Sequence, residues 1–362
     1  MKIRKVKLGF KIKTPVLAFG GQTKNTLCFT QGDTAYISPV HPDLSNPKDF
    51  SSFKKDAEFF LKKNPKIIAY DLHPEYQSTK FAQNLNAKRY TLYAIQHHHA
   101  HIASCMAENG LSNQRVIGVA FDGTGLGTDN KIWGAEFLLC DYKNFQRKAH
   151  LKEIPLFGGE KAILNPRRLA LAWLGEKILR KEERKEWQLF QKMRARGVNA
   201  PLASSMGRLF DAAASLILRK DKAGFEAELA IELEKLGAGV RSQGSGYNFK
   251  IVRGENSYII DPLLMFREIV KDLKAKKKSQ DVVYRFHLTV AEMVRKTCVI
   301  LRKESGIKKV VLSGGVFQNN LLLRMSLDLL YKEGFKVFVH RHLSCNDMFI
   351  SLGEAVVATH NS

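Results

Sequence analysis

The fold of this chain is indicated most clearly by Arg115-Val116-Ile117-Gly118-Val119-Ala120-Phe121-Asp122-Gly123-Thr124-Gly125-Leu126-Gly127. The apolar residues up to Phe121 predict a buried strand, the glycines after it predict a hairpin turn, and Trp133–Leu139 predicts the returning strand. Glycines at alternate positions let backbone N–H groups approach an anion, so this turn is a candidate phosphate cradle. An ordinary glycine-rich hairpin is the alternative. No helix follows the glycines directly, which excludes the dinucleotide fingerprint of a Rossmann domain.

A similar pattern opens the chain. An apolar strand is predicted at 15–19, and two further strands at 25–30 and 34–38 flank Gly32-Asp33, which is typical of a hairpin turn. Helices follow in both parts of the chain. Two halves with the same opening indicate an internal duplication within an α/β protein.

The pattern also gives domain boundaries. We expect a basic N-terminal segment at 1–14, a first domain at 15–113 and a second domain at 114–362. The second domain is predicted to contain a helical insertion at about 168–236. A chain of 362 residues is long enough for two domains that each bury a core.

Four histidines stand in one short run, His97-His98-His99-Ala100-His101. No helix breaker follows until Gly110, so we predict a helix on which His97 and His101 project from the same face. Two imidazole ligands of a metal ion require such a spacing. Asp122, at the end of the strand described above, is a candidate third ligand. A histidine cluster that holds no metal is the alternative.

A second glycine-containing segment, Ser313-Gly314-Gly315-Val316-Phe317-Gln318-Asn319-Asn320, lies between a predicted strand at 309–312 and a predicted helix at 321–331. The glycines would let a base or ribose lie against the backbone. The start of the following helix favours negative charge. Asn319 or Asn320 equally suits the N-cap of that helix. Asp347, before a short predicted helix, suits either a carboxylate ligand or an N-cap.

The composition narrows the class of protein. Lys and Arg number 58 against 35 Asp and Glu, and the net charge of +23 attracts nucleotides, nucleic acid or an acidic protein partner. The five cysteines form no CxxC pair, which argues against a zinc ribbon and a disulfide framework. Neither a signal-peptide core nor an apolar run of about 20 residues is present, so we expect a cytoplasmic protein with no membrane segment.

These segments, in this order, resemble the C-terminal carbamoyltransferase domain, threonylcarbamoyltransferase-like, of the hydrogenase maturation protein HypF. The resemblance also rests on Lys24-Asn25, Asp71-Leu72-His73-Pro74 and the stretch from Ser204 to Ala212. That family has the actin-like ATPase (ASKHA) fold, in which two duplicated RNase-H-like domains enclose a nucleotide cleft. The resemblance therefore implies the same duplication that the strand pattern indicates.

The resemblance implies a site as well. Two histidines and two aspartates hold a divalent metal in the family, often iron and sometimes zinc, and they correspond here to His97, His101, Asp122 and Asp347. ATP or carbamoyl-adenylate would be bound by Lys24, Asn25, Gly123, Thr124, Gly125, Gly127, Glu160, Gly207, Asp211, Gly314, Gly315, Phe317, Gln318 and Asn319. The chain departs from the family pattern at Met348 and Phe349, where two glycines are usual, and at Glu160, where aspartate is usual.

The activity implied by the resemblance is carbamoyl transfer from carbamoyl-adenylate to the C-terminal cysteine thiolate of a HypE-like acceptor. The thiocarbamate formed on that cysteine later becomes a cyanide ligand of the iron in NiFe hydrogenase. The family's acylphosphatase, zinc-finger and adenylate-forming domains have no counterpart in this sequence. We therefore expect either a separate chain that supplies carbamoyl-adenylate or a longer parent protein. Three alternatives are threonylcarbamoyl transfer to tRNA, carbamoyl transfer to a small-molecule hydroxyl, and a non-catalytic nucleotide-binding scaffold.

Overall fold

The computed structural model describes residues 2–85, 88–240 and 244–362. The strands are β1 Arg4–Ala18, β2 Thr23–Asn25, β3 Cys28–Ile37, β4 His41–Asp43, β5 Ile67–Asp71, β6 Thr91–Ile95, β7 Val116–Leu126, β8 Ile132–Cys140, β9 Phe145–Leu151, β10 Ile154–Pro155, β11 Leu202–Ser205, β12 Lys250–Arg253, β13 Tyr258–Asp261, β14 Lys309–Ser313 and β15 Lys336–Phe338. The helices are α1 Pro47–Leu61, α2 Gln77–Gln83, α3 His97–Glu108, α4 Pro166–Leu174, α5 Arg184–Arg196, α6 Met206–Leu218, α7 Glu228–Gly237, α8 Leu263–Lys274, α9 Ser279–Ser305, α10 Asn320–Lys332 and α11 Ile350–His360. Short 3₁₀ turns lie at Gly159–Ala162, Gly175–Ile178, Lys181–Glu183, Gly315–Gln318 and Asp347–Phe349.

The two main sheets share one strand arrangement. In the first sheet, β1 has the antiparallel strand β3 on one side and the parallel strands β5 and β6 on the other. In the second, β7 has the antiparallel β8 on one side and the parallel β14 and β15 on the other. This repetition confirms the predicted duplication of RNase-H-like halves in an α/β actin-like ATPase fold.

The start of the chain differs from the prediction. Strands β1 and β3 pair with each other, so the hairpin predicted between 25–30 and 34–38 is wrong. Gly32 does not form a turn: it has φ +63° and lies opposite Ile12 at a register shift, as a glycine does in a β-bulge. Because β1 begins at Arg4, residues 4–14 are part of this sheet and not a separate basic segment. The boundary between 113 and 114 stays a prediction.

The glycine-rich segment after Phe121 also differs from the prediction. Strand β7 continues to Leu126, so the glycines lie largely within the strand and the turn to β8 comes later, at 127–131. The ladder to β8 shifts register between Phe121 and Gly125. The backbone after Asp122 therefore runs past α3, and the hairpin turn predicted at 123–127 is wrong, whereas contacts of these residues with a phosphate stay a prediction.

The region predicted as a helical insertion at 168–236 contains α5, α6, α7 and most of α4. It also contains the strand β11, which joins the second sheet beside β8 and leads directly into α6. Among the described residues, no helix combines the length and the apolar composition needed to span a bilayer.

Helix α3 lies between the two halves and positions the site. Every residue from His97 to Ala107 is buried, against α11 on one side and against β7 and β14 on the other. Helix α11, at the other end of the sequence, returns to the first half and packs on β1 and β5. The contact between α3 and α11 is so close that a methyl group at Gly353 would overlap the Ala100 carbonyl oxygen.

Candidate functional site

Four side chains converge between the halves. His97 and His101 come from the first turns of α3, Asp122 from β7, and Asp347 from the 3₁₀ turn before α11. Their ligand atoms all lie within 4.8 Å of one another. The His101 Nε2 atom is 2.8 Å from Asp122 Oδ2 and 3.5 Å from Asp347 Oδ1, and the corresponding His97 Nε2 distances are 3.7 Å and 3.8 Å.

These separations suit a metal ion. A tetrahedral ion with bonds of about 2.1 Å holds its ligand atoms roughly 3.4 Å apart. His97 Nε2, His101 Nε2 and Asp122 Oδ2 are buried and find no hydrogen-bond partner among the described residues, although they lie close together. Such atoms are costly to bury unless they share a ligand. Two imidazoles and two carboxylates form a donor set that suits iron or zinc.

Asp71 orients one of the imidazoles. Its Oδ2 accepts a hydrogen bond from His97 Nδ1 at 2.7 Å, which leaves the Nε2 lone pair facing the cluster. Its Oδ1 accepts from the backbone N–H of His73 at 2.9 Å, so the carboxylate cannot rotate freely. A carboxylate behind a ligating histidine fixes the ring and increases its basicity. The sequence prediction missed this residue, although an aspartate at the end of a buried strand is a usable signal.

The charges in the cluster depend on each other. Burial alone would lower the pKa of His97, but the carboxylates of Asp71 and Asp122 hold that pKa well above its usual value. Burial alone would raise the pKa of Asp122, but the adjacent His101 and His97 imidazoles hold it well below its usual value. Without a cation, protons on the imidazoles therefore balance the carboxylates, and a bound cation would replace them.

The glycines of β7 make room for the histidines. A Cβ atom at Gly125 would lie 2.6 Å from His98 Cε1 and 3.0 Å from His97 Cδ2, which is closer than packed atoms approach. A Cβ atom at Gly315 would lie 3.1 Å from Asp122 Oδ1. Because the imidazoles occupy this space, the sequence has glycine beside them. For Gly125, packing is thus a sufficient reason without any phosphate contact.

His98 and His99 serve other contacts. His99 Nε2 donates to the Asp141 carbonyl oxygen at 2.6 Å, and burial lowers the pKa of its ring. The Gln96 side-chain amide donates to His98 Nδ1 at 3.1 Å, and burial holds the pKa of His98 well below its usual value. Neither ring belongs to the four-residue cluster.

The loop that carries Asp347 is held on the first half despite its two large residues. The Thr26 hydroxyl donates to the Met348 carbonyl oxygen at 2.5 Å, and the Ser104 hydroxyl donates to the Phe349 carbonyl oxygen at 2.8 Å. The Phe349 side chain is buried in the core that α3 and α11 share with strands of both halves, and Met348 packs against that core. Bulky residues at these positions are therefore compatible with an aspartate that reaches the imidazole pair.

Part of the predicted nucleotide set remains accessible to a ligand. Lys24 and Glu160 are exposed, and Gly123, Thr124, Gly207 and Gly315 are half-buried. Gly207, in the first turn of α6, lets that helix start against the strand, because a Cβ atom there would lie 2.9 Å from Gly123 Cα. Gly123 and Gly315 lie against Asp122 of the four-residue cluster, and the contacts of all six residues with a nucleotide stay a prediction.

Other members of the predicted set are used inside the protein. The Asn25 amide donates to the Phe19 and Gly21 carbonyl oxygens and is buried, so it braces the loop before β2. Phe317 is buried and stacks on Phe121, with ring centroids 5.2 Å apart. These two side chains, unlike Lys24, do not line accessible space.

Four further members of the set also have structural roles. Gly127 and Gly314 are buried, the first under Trp133 and the second against the Phe121 backbone. The Asn319 side chain accepts from Leu322 N as the N-cap of α10, as the alternative prediction states, and its amide contacts His287. The exposed Gln318 accepts from the Asn346 amide at 3.3 Å.

Asp211 belongs to a buried charge cluster. Its Oδ2 lies 2.9 Å from Arg208 Nε, and the Arg208 Nη2 group donates to Glu226 at 3.2 Å. Burial raises the pKa of Asp211 to about 6, although Arg208 opposes the shift. Arg208 Nη1 is buried and has no hydrogen-bond partner within the described ranges. The sequence prediction missed Arg208, and no spacing signal marks it.

Tyr76 is a further residue that the motifs did not predict. Its ring stacks on His73 with centroids 4.3 Å apart and planes at 6°. Burial, and then the charges of Asp71 and Asp347, hold the pKa of the Tyr76 hydroxyl well above its usual value. The hydroxyl therefore stays protonated near the carboxylates of the site and remains a hydrogen-bond donor.

Glu354 gives a testable pH dependence. It lies on α11, its Oε2 accepts from Gly20 N at 2.8 Å, and its Oε1 is unpartnered as far as the described residues go. Burial, and then the charge of Asp71, raise the pKa of Glu354 from 4.5 to about 8. The fold thus favours the protonated acid. Its contribution to stability is complete below pH 4.5 and is lost as the pH rises through 8.

We expect Glu354→Gln to be more stable than the parent at pH 9, by on the order of 4 kcal/mol, and about equally stable below pH 4.5. The amide keeps the hydrogen-bonding shape without the buried charge. Urea unfolding of both proteins at several pH values, with a chelator present, measures the difference. An offset that is the same at every pH would show that the pKa of this carboxyl is the same in the folded and the unfolded protein, which would contradict the raised pKa.

The chain is similar to known proteins over nearly all of its length. Residues 118–354 match a family described as the carbamoyltransferase, Kae1-like domain, second subdomain, and residues 11–108 match the HypF Kae1-like domain. Carbamoyltransferase HypF2 of Cupriavidus necator is 35% identical over 95% of this chain and 46% of its own length. A carbamoyltransferase HypF homolog of the same organism is 34% identical over 95% of this chain and 91% of its own length.

Solved structures give the same relationship. A crystal structure of full-length HypF in the phosphate- and nucleotide-bound form has 41% identity and a TM-score of 0.91, over 99% of this chain and 57% of its own. A crystal structure of HypF from T. kodakarensis has 28% identity and a TM-score of 0.85, over 98% of this chain and 49% of its own. The chain spans about half the length of most curated relatives that it matches.

Proposed function

The chain belongs to the HypF carbamoyltransferase family, and on that premise we propose that it transfers a carbamoyl group from carbamoyl-adenylate to a cysteine thiolate of an acceptor protein. By the family resemblance, the acceptor is a HypE-like protein that presents a C-terminal cysteine. The nucleotide cleft between the halves would hold the adenylate, and the cluster of His97, His101, Asp122 and Asp347 would lie at the reacting carbonyl.

One observation carries the proposal. Two imidazoles and two carboxylates from distant parts of the chain meet within 4.8 Å, and three of their four ligand atoms have no other hydrogen bond among the described residues. A purely structural cluster would satisfy these atoms internally, because an unpaired buried polar group costs about 1–3 kcal/mol. We therefore infer that the cluster binds a divalent cation such as iron or zinc.

The reaction needs little from the chain except binding and orientation. The thiolate forms a bond to the carbamoyl carbon, the bond from that carbon to the phosphate oxygen breaks, and AMP leaves with the electron pair. A bound divalent cation would polarise the carbamoyl oxygen and stabilise the negative charge that develops on it. Asp71 would keep the His97 ring in its ligating orientation throughout.

We assign the adenylate phosphate to the start of α6. The N-cap hydroxyl of Ser205 donates to the Gly123 carbonyl oxygen at 2.5 Å, so the positive end of this helix lies beside β7. Helix N-termini favour anions. The buried Arg208, in the first turn of α6, has an Nη1 group without a hydrogen-bond partner among the described residues, and this group is available to donate to an anion.

A transfer assay tests the proposal directly. The chain is loaded with iron or zinc and incubated with carbamoyl-adenylate and an acceptor protein that ends in cysteine. We expect one carbamoyl group on the terminal cysteine and one AMP released per transfer, with the activity lost after chelation and restored by metal. Release of AMP without modification of the acceptor, or full activity in chelator, contradicts this.

The same assay separates the alternatives. The net charge of +23 favours nucleic acid as an acceptor, so threonylcarbamoyl-adenylate and tRNA form the comparison arm. Transfer to tRNA alone would replace the proposed acceptor class. A protein that neither retains a stoichiometric metal nor transfers in any arm would be a scaffold that docks partner proteins.

A further inference from the structure

Glu108 connects the helix of the imidazole pair to the loop of the fourth candidate ligand. It is the last residue of α3. Its Oε1 accepts hydrogen bonds from three successive backbone N–H groups, those of Arg341 at 3.1 Å, His342 at 2.6 Å and Leu343 at 2.9 Å. Its Oε2 accepts from His340 Nδ1 at 2.6 Å. One carboxylate thus holds four consecutive residues.

The other nitrogen of His340 meets a serine. His340 Nε2 lies 3.1 Å from the Ser313 hydroxyl, so Ser313, His340 and Glu108 stand in the order of a serine nucleophile, its base and an orienting acid. A nucleophile must reach its substrate, however, and Ser313 is completely buried at the end of β14. The side chains of Glu108 and His340 are each only 4% exposed. The arrangement therefore acts as a tether.

The tethered loop leads directly to Asp347. Beyond Leu343, the Cys345 carbonyl oxygen accepts from Gly314 N at 3.0 Å, and Asn346 caps the 3₁₀ turn that contains Asp347. The loop between β15 and Asp347 is thus fastened at its start to α3 and in its middle to the end of β14. Helix α3 also carries His97 and His101. The tether therefore joins the helix of the imidazole pair to the loop that carries Asp347.

We propose that Glu108 is a positioning residue for the candidate metal site: by docking residues 340–343 on α3, it sets where Asp347 meets the imidazole pair. This inference rests on the proposed function, since it requires Asp347 to be a ligand. Hydrogen bonds to a carboxylate are about twice as strong as neutral ones, and four of them here share one side chain. Burial would raise the pKa of Glu108, but His340 and the N–H groups lower it to about 2, so the tether stays charged at neutral pH.

Glu108→Gln tests the inference with metal alone. The amide keeps the size of the side chain but loses the charge and directs its NH₂ group at donors. We expect the dissociation constant for Zn²⁺ or Co²⁺ to rise about 10- to 100-fold, as for other groups that orient ligands. The visible spectrum of the Co²⁺ form should change as Asp347 leaves the ion, and hydrogen exchange of the 340–347 amides should quicken.

Glu333→Gln is the matched control. Glu333 is likewise a glutamate at a helix end, with a more exposed side chain, and it pairs with Arg295 at 2.6 Å and Arg302 at 3.4 Å, on α9. Its loss should cost stability without changing metal affinity or the Co²⁺ spectrum. If Glu108→Gln does not fold, His340→Ala removes one arm of the tether and should weaken metal binding in the same direction but less.

Asp347→Asn separates the two levels of inference. If it weakens metal binding whereas Glu108→Gln and His340→Ala leave the affinity and spectrum unchanged, the positioning role is wrong and the proposed site stands. If neither Asp347→Asn nor His101→Ala weakens metal binding, the proposed site itself is wrong. Equal weakening by the Glu333→Gln control would attribute the Glu108→Gln effect to general destabilisation and overturn the positioning role.

Discussion

His101→Ala is expected to lower carbamoyl transfer by on the order of a thousandfold or more, with the fold retained. His101 Nε2 has the shortest contact in the cluster, 2.8 Å to Asp122, and also approaches Asp347 at 3.5 Å. Its removal leaves three donor groups. Two of these are carboxylates, and less positive charge then lies between them. His97→Ala should behave similarly, and it also leaves Asp71 buried without the partner that it orients.

The measurement combines transfer rate, metal content and circular dichroism for each variant. His99→Gln is a control on the same helix, because that buried ring donates to the Asp141 carbonyl oxygen and stands outside the cluster. We expect it to keep its metal and most of its activity. Undiminished transfer by both His97→Ala and His101→Ala would remove the metal from the mechanism.

Gly353→Ala is expected to give the largest loss of stability, about 3 kcal/mol or more. The added methyl group would overlap the Ala100 carbonyl oxygen, which is backbone of a buried helix and cannot rotate away. Either α11 must move from α3, or the first turns of α3 must shift and take His101 with them. Overpacking against backbone is more costly than overpacking against a flexible side chain.

Urea unfolding of the parent and the variant measures this loss. Gly224→Ala is the control, since a methyl group there would meet only the Glu228 carboxylate at 3.4 Å, an ordinary contact. Its effect should stay within about 0.5 kcal/mol. A Gly353→Ala protein as stable as the parent would mean that α3 and α11 do not approach as closely as described.

The sequence predicts the candidate site residues better than it predicts the strands of the first sheet. The four-residue spacing on α3 predicts the paired imidazoles, and the buried strand that contains Phe121 predicts that Asp122 lies near them. Only the resemblance to a family, however, connects Asp347 to them, because local patterns do not reveal contacts between distant segments. The convergence of the four within 4.8 Å agrees with that expectation.

The hairpin error near the start has an identifiable cause. Gly32-Asp33 has the composition of a turn, but the alternating exposure of Lys7, Leu8, Lys11 and Ile12 is the period-2 signal of a strand. The many lysines and arginines of this segment make its alternating apolar residues hard to recognise as a strand. A glycine with positive φ suits a bulge as well as a turn, so sequence alone cannot separate the two.

The sequence of a motif also does not show whether a given residue binds a ligand or packs in the core. Asn25 and Phe317 belong to segments that match the family, yet both side chains are consumed by internal contacts. Conversely, Asp71 and Arg208 face the site without a distinctive spacing. Whether a polar side chain is buried and paired depends on tertiary packing, which a one-dimensional pattern does not contain.

The return of α11 to the first sheet has a consequence for biosynthesis. Residues of α11 complete the same core as β1, β5 and α3, although nearly the whole second half separates them in sequence. During translation, the apolar surface of β1, β5 and α3 that α11 covers is therefore exposed until α11 has been synthesised, and exposed surface of this kind favours aggregation. The imidazole pair on α3 therefore acquires its final surroundings only when synthesis has passed α11.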